Sequence, residues 1–201
     1  MKSYIALMLV SLFFSCGTPP QKSNTVVIGK TDTTVVEPDS PKVVVIELTI
    51  PDGAATANYR TGVKSFYGYV KNVNVVKAIT IIAFEDNSAP SFAIKDSYGA
   101  KLSHLRFSEF DRDLLLVTSE IKDPNFNKYY LFILQDNQWK EVVNGWAIHK
   151  NNQPDTLKPI QVDSKNPNRM HRYYSVFDLD KESELGYTWR LLEERIPIEN
   201  K

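Results

Sequence analysis

From Val43 to Ile196 the chain is written in short runs of Val, Ile, Tyr, Phe and Thr, broken every few residues by Asp, Asn, Gly and Pro. β-Branched and aromatic side chains fit a pleated, half-buried surface, and the breaking residues supply the backbone angles of tight turns. Helical periodicity sustained over a helix length is hard to find. The pattern predicts strands at Val43 to Ile50, Ser65 to Val70, Val75 to Phe84, Phe92 to Lys95, Leu102 to Phe107, Leu114 to Ile121 and Tyr129 to Gln135. Further strands follow at Gln138 to Val143, Trp146 to Lys150, Arg172 to Leu179 and Tyr187 to Ile196. Many short strands at close spacing imply a mainly β fold: a single antiparallel β-sandwich or barrel-like domain, with a small propeller-like meander as the alternative. No internal repeat marks out propeller blades, so the sandwich ranks first.

The most closely specified stretch is Tyr129 to Lys150. Asp136-Asn137 and Asn144-Gly145 suit two-residue hairpins, which need positive φ. Two such turns pair Leu134 with Trp139, Phe132 with Glu141 and Tyr130 with Val143, then Val143 with Trp146 and Glu141 with Ile148. One face then gathers Tyr130, Phe132, Leu134, Trp139, Val143, Trp146 and Ile148 toward a core. The opposite face, with Leu131, Ile133, Val142 and Ala147 among polar residues, reads as partly exposed.

A chain of 201 residues, of which positions 1–42 lack this pattern, leaves one domain of ordinary size at 43–201. Three Trp, ten Tyr and ten Phe give it enough apolar area for a core. The 24 basic and 24 acidic residues balance, and no Lys/Arg run stands out, so nucleic acid is not an expected partner. A single cysteine, Cys16, precludes any disulfide within the chain.

That cysteine ends a distinctive start. Met1-Lys2-Ser3-Tyr4 carries one positive charge, and Ile5 to Phe14 is apolar but too short to span a bilayer as a permanent helix. Leu12-Phe13-Phe14-Ser15-Cys16-Gly17 resembles the lipobox of bacterial lipoproteins, with a small residue before the cysteine; Phe13 and Phe14 depart from the tightest form of that pattern. The resemblance covers only residues 1–17. It implies a signal peptide at 1–15 and lipid, palmitate included, on Cys16. Two or three acyl chains anchor stably at roughly 0.8 kcal/mol per buried CH₂. Gly17, where Asp often retains such proteins at the inner membrane, implies the outer membrane of the cell envelope, facing the periplasm. From Cys16 to Lys42 the chain is rich in Thr, Pro, Ser and Lys and reads as a flexible, disordered tether. Extended at about 3.3 Å per residue, it reaches on the order of 80 Å.

Chemistry is sparsely signalled. Glu141 falls between Phe132 and Ile148 on the expected apolar face, where a carboxyl is desolvated and its pKa rises. It is a candidate ligand-binding or acidic group, or else a sheet-margin residue paired with Lys150. Asp178, Asp180, Glu182 and Glu184 recur at every second position, but the Gly and Glu of a calcium loop are replaced by Ser183 and Trp189. Asp178, Asp180 and Glu182 are therefore ligand-binding candidates or members of a solvated turn. Asp111 and Asp113 read the same way at a hairpin tip. His104, His149 and His171 have no zinc spacing, and no motif calls for a metal or cofactor or names a catalytic residue. Aromatic residues that stack on sugar rings would have to come from the carboxy-terminal Tyr and Trp residues, since the hairpin register turns Trp139 and Trp146 inward. The sequence implies a non-catalytic binding or assembly component with an envelope protein partner. A carbohydrate- or small-ligand-binding lipoprotein is the alternative, and a hydrolase ranks below both.

Overall fold

A computed structural model describes residues 49–199. The signal peptide at 1–15, Cys16 with its tether to Lys42, and most of the first expected strand lie outside the described residues; Thr49 and Ile50 are not strand. Eleven strands follow among the described residues: β1 Ala55–Ala57, β2 Phe66–Asn74, β3 Ile79–Phe84, β4 Phe92–Lys95, β5 Ala100–Leu105, β6 Leu114–Glu120, β7 Phe126–Gln135, β8 Gln138–His149, β9 Ile160–Asp163, β10 Asn166–Leu179 and β11 Tyr187–Pro197. Single turns of 3₁₀-helix lie at Glu85–Asn87 and Lys150–Asn152. β1 and β9 were not foreseen: Ala55-Thr56-Ala57 carries little strand signal, and Ile160–Asp163 is only four residues long. Among the described residues no helix is long and apolar enough to cross a membrane.

The strands form three antiparallel sheets, ordered β1-β2-β3-β4, β5-β6-β7-β8 and β11-β10-β9. Each is a meander of sequence neighbours, and none closes into a barrel. The domain is sandwich-like, as expected, but has three layers. Leu115, Val117, Phe132 and Leu134 of the second sheet pack against Phe66, Ile82, Phe84 and Ile94 of the first and against Tyr59 in the β1–β2 connection. Their neighbours Leu114, Leu116, Leu131 and Ile133 point the other way and meet Ile160, Met170 and Ile196 of the third. The expected partial exposure of the Leu131 face is thereby corrected: Leu131, Ile133 and Val142 are all buried, because the third sheet covers them.

An aromatic cluster fills the first interface. The Phe84 and Trp139 rings stack with centroids 4.7 Å apart, and Phe92 meets Phe132 at 4.8 Å. Two polar atoms within it are satisfied by backbone: Trp139 Nε1 donates to the Pro90 carbonyl and the Tyr59 hydroxyl to the Ala55 carbonyl, both at 3.1 Å.

The turn Asp136-Asn137 forms as expected, with φ of +52° and +56°, and sets the pairs Leu134 with Trp139 and Phe132 with Glu141. The expected turn at Asn144-Gly145 is not there. β8 runs straight through it, and neither residue has positive φ. Between the pairs Phe132–Glu141, Leu131–Val143 and Tyr129–Trp146, β8 contains two residues more than β7. These bulges shift the alternation. Val142 and Val143 both enter the core toward the third sheet, and Val143, Trp146 and Ile148 leave the face of Phe132 and Leu134 to which the ideal register assigned them. Gly145 is used for closeness instead of turning, since a Cβ there would lie 2.9 Å from Cε1 of Tyr130.

The layering fixes an energetic expectation. Leu131→Ala removes a fully buried side chain from the second interface and lowers the unfolding free energy by about 2–5 kcal/mol. Val76→Ala, at a residue 93% exposed, changes it by less than about 0.5 kcal/mol. Urea denaturation of the two variants checks this; equal losses contradict the three-layer packing.

Candidate functional site

Glu141 does sit opposite Phe132, in a shallow cleft of about 290 Å³ shared with Phe92, Ile94, Lys95 and Tyr130. Desolvation raises its pKa above the ordinary value, repulsion from Glu199 adds to the rise, and Lys128 opposes it. The nearby cation is Lys128 and not the expected Lys150, because β8 runs on past Asn144-Gly145 without turning back and leaves Lys150 beyond its far end.

The acidic candidates lie elsewhere, in the connection between β10 and β11. Asp178 pairs with Arg190 at 3.3 Å. Asp180 builds the turn: its Oδ1 accepts the Glu182 N–H at 3.0 Å, and its own N–H donates to the Gly186 carbonyl at 3.0 Å. Gly186 closes the turn at φ +72°. Asp178, Asp180 and Glu182 thus shape a hairpin end. Asp111 and Asp113 are likewise structural. Asp113 accepts the Asn58 N–H at 2.8 Å, while Asp111 binds Arg112 and the Thr61 hydroxyl, which hold its carboxyl down at a pKa of about 2. Among the described residues no group of three or more His, Cys, Asp or Glu side chains is placed to hold a metal ion.

What converges is one end of the domain, where β7 begins, β8 ends and the β10–β11 hairpin turns back. Phe126 and His149 are cross-strand partners there, as are Phe177 and Trp189. The Trp189 indole receives Phe126 at 4.8 Å and 89°, lies over His149 at 5.7 Å and 14°, and meets Phe177 at 5.7 Å. Tyr187 stacks on Phe177 at 5.2 Å. Side-chain-to-backbone hydrogen bonds lock this junction. The Ser175 hydroxyl accepts the His149 N–H at 2.9 Å, and the Asn152 amide donates to the Trp189 carbonyl. The 3₁₀ turn at Lys150–Asn152 thereby ties the second sheet to the third.

Two recesses flank this junction. One encloses about 540 Å³ between Tyr98, Lys101, Glu120, Tyr129, Lys150 and Gln153, and there the Gln153 amide donates to the Tyr129 hydroxyl. The other is a groove of about 410 Å³ lined by Asp123, Asn125, His149, Asn151, Asn152, Leu185, Tyr187, Thr188 and Trp189. At this end Phe177, Leu179, Leu185 and Tyr187 are 54%, 77%, 72% and 36% exposed, the last two also lining the groove. These aromatic and apolar residues were legible one by one, but nothing in the sequence signals that they meet.

A second constellation was missed altogether. On the third sheet His171 bridges two carboxylates, with Nε2 3.3 Å from Asp163 and Nδ1 against Glu193, while Arg195 stands 3.7 Å from Asp163. Asp163 is 5% exposed, and the Lys165 N–H, followed by His171, holds its pKa below the ordinary value. The three residues come from three different strands, so no linear spacing reveals them. Comparison with protein-family models, curated proteins and solved structures finds no match.

Glu141 supplies a pH test. A carboxyl whose folded pKa exceeds its unfolded value favours folding at low pH, and this contribution is lost as pH rises through the folded pKa. Glu141→Gln therefore raises the Tm at about pH 7.5, where the wild-type carboxylate is ionised, and changes it little at about pH 4. Thermal melts at the two pH values measure the difference; an equal effect at both removes the assigned desolvation and Glu199 repulsion.

Proposed function

We propose that this chain is an exported bacterial envelope lipoprotein, held by lipid on Cys16 at the periplasm-facing side of the outer membrane, and that it works as a non-catalytic binding or assembly component. The lipobox-like start supports the anchor. The observation that carries the binding role is the end of the β10–β11 hairpin, where Phe177, Leu179, Leu185 and Tyr187 are all exposed within one short stretch. Four large apolar side chains held together in water on a domain of this size suit a contact surface.

Charge gives that surface a complement. Asp180, Glu182 and Glu184 border it and outnumber the one cation among them, Lys181, while Asp178 is engaged by Arg190. A partner with an apolar recess rimmed by Lys and Arg fits both features, because opposite charges at the rim speed encounter and fix register. The same carboxylates repel phosphate, which argues against nucleic acid. No cofactor enters this reading.

The test is in-cell cross-linking and affinity purification from detergent-solubilised envelope, with a tag after Lys201 so that the amino terminus stays native. A near-stoichiometric protein partner is expected, and Leu179→Asp with Leu185→Asp abolishes its recovery while leaving the Tm unchanged. Recovery of the tagged chain alone, or of the partner in undiminished amount with the double variant, overturns the assembly reading. Cys16→Ser tests the anchor separately. The variant is expected to lose labelled-palmitate incorporation and to leave the membrane fraction, and continued incorporation defeats the lipoprotein assignment.

A further inference from the structure

The groove beside the hairpin end differs in chemistry from the apolar tip. Its volume of about 410 Å³ is that of a small-molecule site. Tyr187 and Trp189 contribute aromatic surface; Asp123, Asn125, His149, Asn151 and Asn152 bring polar groups, and Leu185 and Thr188 complete the lining. Phe177 takes one face of the Tyr187 ring, and the exposed part of Tyr187 borders the groove. Among the described residues no protein group hydrogen-bonds the side-chain amide of Asn125 or Asn151. His149 is 8% exposed, and its Nδ1 accepts the Asn151 N–H at 3.3 Å, so the neutral ring carries its proton on Nε2 and has that donor to offer.

This combination selects among ligand classes. An anion meets the Asp123 carboxylate with no Lys or Arg in the lining to offset it. A wholly apolar ligand leaves the amides desolvated without partners, which is costly. A sugar ring matches both kinds of surface: its C–H face packs on an aromatic ring, and its hydroxyls, each a donor and an acceptor, pair with amides that are also both. We infer that the groove binds a neutral saccharide, with one ring packed against Tyr187 beside the edge of Trp189 and its hydroxyls held by Asn125, Asn151 and His149. Asp123 accepts a further hydroxyl. The groove shares Leu185 and Tyr187 with the apolar tip, but not Phe177 or Leu179.

The experiment uses the full chain, purified in a detergent without a sugar headgroup and titrated with cellotetraose, maltotetraose and chitotetraose. Isothermal calorimetry and tryptophan emission are the readouts. At least one of the three binds with a Kd at or below about 1 mM, and shifts the emission, because Trp189 borders the site whereas Trp139 and Trp146 lie among core side chains. Asn125→Ala with Asn151→Ala weakens that binding at least about tenfold, with an unchanged Tm. Trp189→Phe, which keeps an aromatic wall, retains the heat of binding and loses the emission shift. Absence of heat with all three sugars at concentrations up to about 10 mM overturns the inference, as does binding unaltered in the double asparagine variant. Either failure leaves the cross-linked protein partner, and so the assembly reading, untouched.

Discussion

The second sheet has to be buried on both faces, and most of the molecule follows from that. Antiparallel sheets commonly keep one face for the core and leave the other to water. Here consecutive residues of β6 and β7 are apolar: Leu114 to Val117 and Leu131 to Leu134 are all buried. Such a run cannot satisfy itself with one partner layer, so sheets on either side are obligatory. The first covers Phe132 and Leu134 with an aromatic cluster, and the third covers Leu131 and Ile133 with Met170, Ile160 and Ile196.

The same demand accounts for the irregularity of β8. A regular strand opposite β7 would divide Val142 and Val143 between the two faces, whereas the bulges bring both into the interface with the third sheet. They also bring Gly145 against the Tyr130 ring, where no side chain fits. After the second bulge β8 regains register, Trp146 stacks on Tyr129 at 5.5 Å, and the strand delivers His149 beside Phe126 at the edge of the candidate site. The distortion of the strand and the position of the site are therefore one feature of the fold.

This explains what could be read from the sequence and what could not. Strand-forming runs and turn residues act locally, so the β class, most strand positions, the Asp136-Asn137 hairpin and the pairing of Glu141 with Phe132 were legible. Asn144-Gly145 carries the stronger local signal for a turn, and tertiary packing overrides it. The covering of Leu131 and Ile133 depends on Ile160, Met170 and Ile196, in strands that come well after β8 in the chain, and no alternation pattern shows which face a later sheet will take. The site was invisible for the same reason. Asp123, His149, Asn151 and Trp189 become neighbours only when the second and third sheets meet, and the acidic residues Asp178, Asp180 and Glu182, the most patterned feature in the sequence, serve the hairpin turn.

The third sheet is the place where this architecture leaves freedom. Its inner side is held by Ile160, Met170 and Ile196, but among the described residues no further layer lies beyond it, and most residues of β10 and β11 are only partly buried or exposed. Segments with fewer buried apolar contacts open at lower free-energy cost than the core. Both proposed contact features lie toward the turn of this hairpin, whereas Met170 and Ile196, its firmest attachments, are paired near the opposite end. A ligand that bridges Trp189 or Tyr187 to Asn125 and Asn151 joins the less protected hairpin to the junction with the central sheet. On the saccharide inference, such a ligand would therefore stabilise the hairpin tip as well as its own complex.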